Sequence, residues 1–244
     1  MIGWLERASI RPNRDPVLEL GGQVLPVVIR RLANAKRMTL RLAPDGSAVR
    51  VTLPQWGRTV DALEFAGTRR DWLERQLAAV VPAPVLADGT ALTFRGEVLT
   101  IRHMPTAPRR PRIEDAALVI GGPALGLDKR LQRWLEGESR RLLGEDLAEY
   151  CAIAGRPQPP LALSRAQRRW GSCAHDGTIR INWRLVMAPD LVRRSVVAHE
   201  VAHLAHFDHS TAFHRELSRL FEGEVSAANS WLRRHGRALY APFG

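Results

Sequence analysis

The sequence predicts an α+β protein. A β-rich leading region with one helical stretch is expected over residues 1–122, followed over 123–244 by a helix-rich region that sets one helix beside a small sheet. Three observations predict it. Apolar residues in the first 120 positions alternate between glycine- and proline-bearing turns, which is the pattern of half-buried strands. From about Leu127 the apolar spacing lengthens to that of helices. At 244 residues with 45% hydrophobic content, the chain can bury one good core or two modest ones. No repeat is expected at solenoid or propeller periods.

Taken in order, Val17–Leu20 and Gln23–Arg30 flank Gly21-Gly22, the chemistry of a two-residue hairpin turn. Met38–Leu42 and Ala48–Leu53 alternate around Pro44-Asp45-Gly46 and should pair with one face buried. Thr68-Arg-Arg-Asp71 resembles a capping box, and Trp72, Leu73, Gln76, Leu77 and Val80 follow at helical spacing until Val81-Pro-Ala-Pro84 stops them. Leu92–Phe94 and Val98–Arg102 form a second hairpin across Arg95-Gly96-Glu97, Pro105–Pro111 reads as an exposed loop, and Ala117–Ile120 as a short strand before Gly121-Gly122-Pro123. A helix begins near Leu127 with Leu131, Trp134, Leu135 and Leu142 on one face, weakened by Gly137 and Gly144. Leu161–Gln167 and Thr178–Trp183 look like strands around the His175-Asp176-Gly177 turn. Three helices then begin near Pro189, Ser210 and Glu224.

Charge bounds the partners. The formal net charge is +11, and among the basic residues only Lys36 and Lys129 are lysines. Such a balance suits non-specific nucleic-acid association through an Arg-rich surface, yet an arginine-rich composition needs no such partner. Arg109-Arg110-Pro111-Arg112 accordingly reads as a solvated loop before a phosphate clamp, and the seven tryptophans as packing anchors before base-stacking platforms. Cys151 and Cys173 form no CxxC pair and no disulfide framework, which fits a reducing cytoplasm. The first residues lack a signal pattern, and no run of about eighteen apolar residues exists to cross a bilayer.

The chemistry concentrates in Val196-Val-Ala-His-Glu-Val-Ala-His-Leu-Ala-His-Phe-Asp-His209. Pro189 and Asp190 suit a helix start, and the helix should run through His203 with Val197, Val201 and Leu204 as its buried stripe. His199 and His203, four apart, project from one face and can share an ion. Glu200 lies one residue round the helix, where a carboxylate can take a proton from water that zinc has made acidic. Catalytic zinc usually takes three protein ligands, and His209 can supply the third if a turn around Phe207-Asp208 folds it back. His206 lies too nearly in line with the other two, and His214 falls inside the following helix, whose buried side should carry Phe213, Leu217, Leu220 and Phe221. Asp208 and Glu216 are the carboxylates placed to orient an imidazole. Trp170 reads first as a core residue, with the segment around it as an alternative edge strand for peptide substrate. Gly171 reads as permitting a close approach, and Cys173 as a minor candidate ligand. Asn182 suits turn capping or substrate binding equally. His214, Tyr240 or an arginine are candidates to stabilise an oxyanion.

These residues carry a resemblance. Arg169-Trp-Gly-Ser-Cys173, Gly177-Thr-Ile-Arg-Ile-Asn182, Leu185, Pro189, His199-Glu-Val-Ala-His203, His209-Ser210 and Phe213 together resemble the YgjP-like metallopeptidase family, which is related to the SprT and Wss-type zinc proteases. The resemblance implies a zincin-type domain over 123–244, one zinc ion on His199, His203 and His209, Glu200 in the catalytic role, and a protein or peptide substrate. The ligand spacing equals that of metzincins, but His206 stands at their glycine position. Two other functions fit the residues alone: a zinc hydrolase acting on a non-peptide substrate, and a basic nucleic-acid-associated protein with structural zinc.

Overall fold

The computed structural model describes residues 16–43, 45–80 and 84–243, so the amino-terminal segment, Pro44 and most of the Val81–Pro84 stop lie outside the described residues. The fold is α+β, and the chain forms two compact units, residues 1–83 (with Gly244) and 84–243. The division comes well before residue 122, where the change from strand to helix spacing had placed it. The reason is packing: Leu92, Phe94, Ile101, Leu118 and Ile120 of the second set of strands share one core with the helices that follow.

In the first unit, β1 (Val17–Leu20), β2 (Gln23–Leu32), β3 (Thr39–Leu42) and β4 (Val49–Pro54) form a sheet ordered β1-β2-β4-β3, with β2 and β4 parallel at its centre. Both expected hairpins are present, and β4 turns Val49, Val51 and Leu53 fully inward. One correction concerns the helical stretch. It is two helices, α1 (Thr59–Gly67) and α2 (Arg70–Ala78), and Thr68 is not an N-cap. The Thr68 hydroxyl donates to the Phe65 carbonyl and closes α1, so the helix-forming signal extends upstream of the segment that displayed it. Ala62, Ala66 and Leu73 bury against the sheet.

In the second unit, β5 (Ala91–Phe94), β6 (Glu97–His103), β7 (Arg112–Glu114) and β8 (Ala117–Ile120) form a sheet ordered β5-β6-β8-β7, again with its central pair parallel. Its strand order and directions reproduce the first sheet. Residue for residue, the first hairpin recurs 74 positions later: Leu18, Gly22, Val24 and Leu25 reappear as Leu92, Gly96, Val98 and Leu99, in identical register. The chain therefore holds an internal structural repeat, two hairpins followed by a helical segment, at a spacing longer than solenoid periods.

A 28-residue helix, α3 (Leu127–Ala154), runs unbroken through Gly137 and Gly144 because Leu131, Leu135, Leu143, Leu147 and Tyr150 bury one face completely. A small sheet follows, β9 (Leu161–Ser164), β10 (Gly171–Cys173) and β11 (Ile179–Asn182), ordered β10-β11-β9. The His175-Asp176-Gly177 turn joins β10 to β11, while β9 lies parallel to β11 on the far side, so β10 is the strand that apolar alternation did not reveal. Helices α4 (Asp190–Ala202), α5 (Thr211–Leu220) and α6 (Val225–His235) begin where the sequence placed them. Helix α4 packs on α3 and against β10 and β11. Among the described residues no helix is long and apolar enough to cross a membrane.

A candidate metal centre

Helix α4 is fixed at its start by charge and along its length by burial. Pro189 precedes it and accepts the Val192 and Arg193 amides through its carbonyl. Asp190, at the positive end of the helix dipole, is held by Arg95 and by Arg193. Arg193 also forms a buried pair with Asp146 of α3 at 2.7 Å, with the two side chains 3% and 5% exposed. Val197 and Val201 are buried on the inner face, and Leu204 packs partly beside them.

The last turn of α4 carries His199, and His203 caps it in a helical conformation. Their Nε2 atoms are 3.2 Å apart. Beyond His203 the chain tightens, with the amides of Leu204, Ala205 and His206 donating back to Val201 and Ala202. The Asp208 carboxylate accepts the Ser210 amide, and the Ser210 hydroxyl caps α5 by accepting the Phe213 amide. This turn returns His209 to the helix, its Nε2 3.3 Å from that of His199. All three imidazoles present a nitrogen within 4.8 Å of the others.

Those spacings fit zinc. Four ligands at about 2.0–2.1 Å in a tetrahedron stand roughly 3.3 Å from one another. The His199–His203 and His199–His209 pairs, at 3.2 and 3.3 Å, match that edge. The tautomer fits too. The His206 carbonyl accepts from His203 Nδ1 at 2.9 Å, leaving the His203 Nε2 lone pair free to face an ion. His199 is held well below the usual imidazole range, at about 4, by burial and by its neighbours His203, His209 and His214, so it is neutral and able to donate a lone pair.

Beneath the three rings lies Phe213, fully buried, its ring centroid 5.0, 4.6 and 4.8 Å from those of His199, His203 and His209. Helical spacing identified Phe213 as inward-facing, but nothing in the sequence said that it floors all three imidazoles.

Glu200 is 5% exposed and lies across β10. A Cβ at Gly171 would stand 2.7 Å from Glu200 Cγ, so the close approach expected at this glycine is that of the Glu200 side chain. Burial pushes the Glu200 carboxyl up to about 7, against the opposing influence of the Cys173 amide that donates to it and of the Arg169 guanidinium.

The remaining candidates have other work. The His206 ring is outside the cluster, and its carbonyl does the orienting for which Asp208 and Glu216 were candidates; Glu216 pairs with Arg219. The Cys173 thiol is also outside the cluster, and burial raises its pKa. Asn182 is buried and caps a turn: its Oδ1 accepts the Arg184 amide while Nδ2 donates to the Ala166 carbonyl and the Tyr240 hydroxyl. The Tyr240 hydroxyl in turn donates to Ala166, which leaves it no proton for an oxyanion. Trp170 packs on Tyr240 at 5.5 Å and closes over Gly236. His214 is exposed near His199.

A family model described as the YgjP-like metallopeptidase domain matches residues 36–235. A solved structure, the metallopeptidase zymogen abylysin of Pyrococcus abyssi, is similar to this chain at 21% identity over 39% of this chain and 96% of its own, with a TM-score of 0.36. Among proteins of curated function none matches.

Proposed function

The chain belongs to the YgjP-like metallopeptidase family, and from that premise we propose that it hydrolyses peptide bonds using one zinc ion held by His199, His203 and His209. The observation that carries the reading is the convergence of three imidazole nitrogens within 4.8 Å, two of the pairs at tetrahedral spacing, beside the helix that bears His199 and Glu200. Zinc, when bound, supplies a Lewis acid that polarises a carbonyl and makes water acidic near neutral pH. Glu200 takes the proton from the attacking water and passes it to the leaving amine. The Cys173 amide holds one side of that carboxylate, and the bare Gly171 backbone lets it lie against β10. Phe213 keeps the three rings from turning.

The substrate is a protein or peptide segment. Strand β10 pairs with β11 on one side only, and α4 packs beside it. An extended chain can add to that free edge by main-chain hydrogen bonds, which align its carbonyls without demanding a particular side chain.

Metal analysis and proteolysis of the wild type and Glu200→Gln test the reading together. One zinc per chain in both proteins is expected, with turnover of an unfolded protein substrate falling by about 10²–10⁴ in the variant. Equal turnover in both proteins would overturn the assigned base. A preparation without metal, or one that cleaves esters and leaves polypeptides intact, would overturn the peptidase assignment.

A further inference from the structure

The internal repeat carries a second feature twice. In the first unit, a groove of ≈ 360 Å³ lies between the chain leading into β3, with Arg37 and Met38, and the helical segment, with Phe65, Arg69 and Trp72. In the second unit, a groove of ≈ 560 Å³ lies between the chain leading into β7, with Arg109 and Arg110, and α3, with Arg130, Arg133, Trp134 and Arg141. Both are built at the same place in the repeat. The segment that feeds the third strand gives guanidinium groups to one wall, and the helix after the fourth strand gives guanidinium groups and an indole to the other.

Most of this charge is unspent. Arg37, Arg69, Arg109 and Arg110 have no carboxylate partner among the described residues. Arg130 and Arg133 donate only to backbone carbonyls, and Arg130 Nε is buried with no hydrogen-bond partner. Of the second groove's arginines, Arg141 alone is paired, with Glu138 and Glu145.

The Arg109-Arg110 loop is exposed, as its composition suggests, and is tied back by main-chain hydrogen bonds. The Gly121 and Gly122 amides donate to the Pro108 and Pro105 carbonyls at 2.9 and 3.1 Å. The loop passes so close to Gly121 that any Cβ there would collide with the Ala107 carbonyl. Trp134 is braced by Phe94, ring centroids 4.9 Å apart, and Trp72 is 38% exposed. The loop and Trp134, held this way, need little further ordering when a ligand arrives.

We propose that the two grooves bind single-stranded nucleic acid, with phosphates on the guanidinium groups and bases against Trp72 and Trp134. Arginine forks match phosphate oxygens two at a time, and an indole accepts the face of any base. A single strand presents one charge and one flat ring per nucleotide, the same pairing that each groove offers. An acidic polypeptide presents the charge without the ring. A duplex keeps its base faces stacked inside. The proposal is independent of the metal centre, since none of these residues belongs to it.

The test uses the full chain and the fluorescence anisotropy of labelled oligo(dT) and oligo(U) of ~20 nucleotides, titrated from about 50 to about 200 mM salt. Binding should weaken steeply with salt. Arg37→Glu/Arg69→Glu and Arg109→Glu/Arg110→Glu should each lose at least about tenfold in affinity and flatten the salt slope by about 1 to 2, at ~0.7 per phosphate contact. Trp72→Ala should lose about tenfold with the slope unchanged, which a purely electrostatic surface would not show. Circular dichroism melting of each variant separates lost binding from lost folding. Failure of the wild type to bind either oligonucleotide, or wild-type binding by both folded arginine pairs, would sink the proposal. Equal or tighter binding of oligo-glutamate would make the occupant an acidic polypeptide, and equal or tighter binding of a duplex would remove the stacking role.

Discussion

The hairpins β1–β2 and β5–β6 have the same register and the same turn, with positive φ at both central residues (53° and 80° at Gly21 and Gly22, 52° and 86° at Arg95 and Gly96), yet they are used differently. A Cβ added at Gly21 or Gly22 would meet nothing within 4 Å. The second turn is docked on the start of α4. Its two amides donate to the Val186 and Met187 carbonyls, the Arg95 side chain grips Asp190, and Gly96 lies against Pro189. The first turn makes one hydrogen bond to α2, from the Gly21 amide to the Glu74 carboxylate at 3.2 Å, while its twin packs on and anchors α4. The difference shows how a repeated unit gains a role without changing its fold: contacts are added at a turn whose backbone is already formed. It also explains why Arg95 tolerates a conformation that favours glycine, since its side chain reaches Asp190 from there.

That comparison can be broken or sharpened by substitution, read as unfolding free energy by chemical denaturation. The largest effect is expected where the second unit has a buried ion pair. Asp146→Ala strands the buried Arg193 guanidinium and should cost about 3–5 kcal/mol in the transition of the second unit, leaving that of the first unchanged. A loss under about 1 kcal/mol would mean that Asp190 alone satisfies Arg193. Next comes Gly96→Ala, where strain at positive φ adds to overpacking because the new methyl would stand 2.9 Å from Pro189 Cα. Roughly 2–4 kcal/mol is expected. The matching change in the first turn, Gly22→Ala, meets no neighbour and should carry the backbone strain alone, about 1–2 kcal/mol. Equal costs for the two glycines would show that the docking of the second turn adds nothing. Smallest is Arg95→Gly, in which a partly exposed pair worth about 0–1 kcal/mol is lost while the strained backbone relaxes. A net change within about 0.5 kcal/mol is expected, and a loss above about 2 kcal/mol would make the Arg95–Asp190 contact a principal anchor of α4.

Much of this was legible in the residues. The starts of α4, α5 and α6 were marked by Pro189, Ser210 and Glu224, and helix periodicity put His199 and His203 on one face. The approach of His209 could be anticipated from spacing, but its realisation depends on the Asp208 and Ser210 caps that turn the chain. Strand β10 was legible only as an alternative reading of the segment around Trp170, because Gly171-Ser-Cys173 has no alternation of its own and becomes a strand by pairing with β11. The repeat escaped because the residues its hairpins share are those most hairpins need, apolar alternation around a glycine turn. Helix α1 was hidden by Thr68, whose capping chemistry served the helix before it and not the one after.

By itself, the sequence determined what its local chemistry could determine: periods, caps, turns, and the pairing of two histidines and a glutamate on one helix, because each depends on neighbours within a few positions. Tertiary structure alone decided the rest. It set the boundary between units, which depends on which apolar faces share a core. It placed Phe213 under three imidazoles and Gly171 under Glu200, contacts between elements that no local pattern encodes. It also assembled the arginines of each groove from segments far apart in the chain, which composition could count but not bring together.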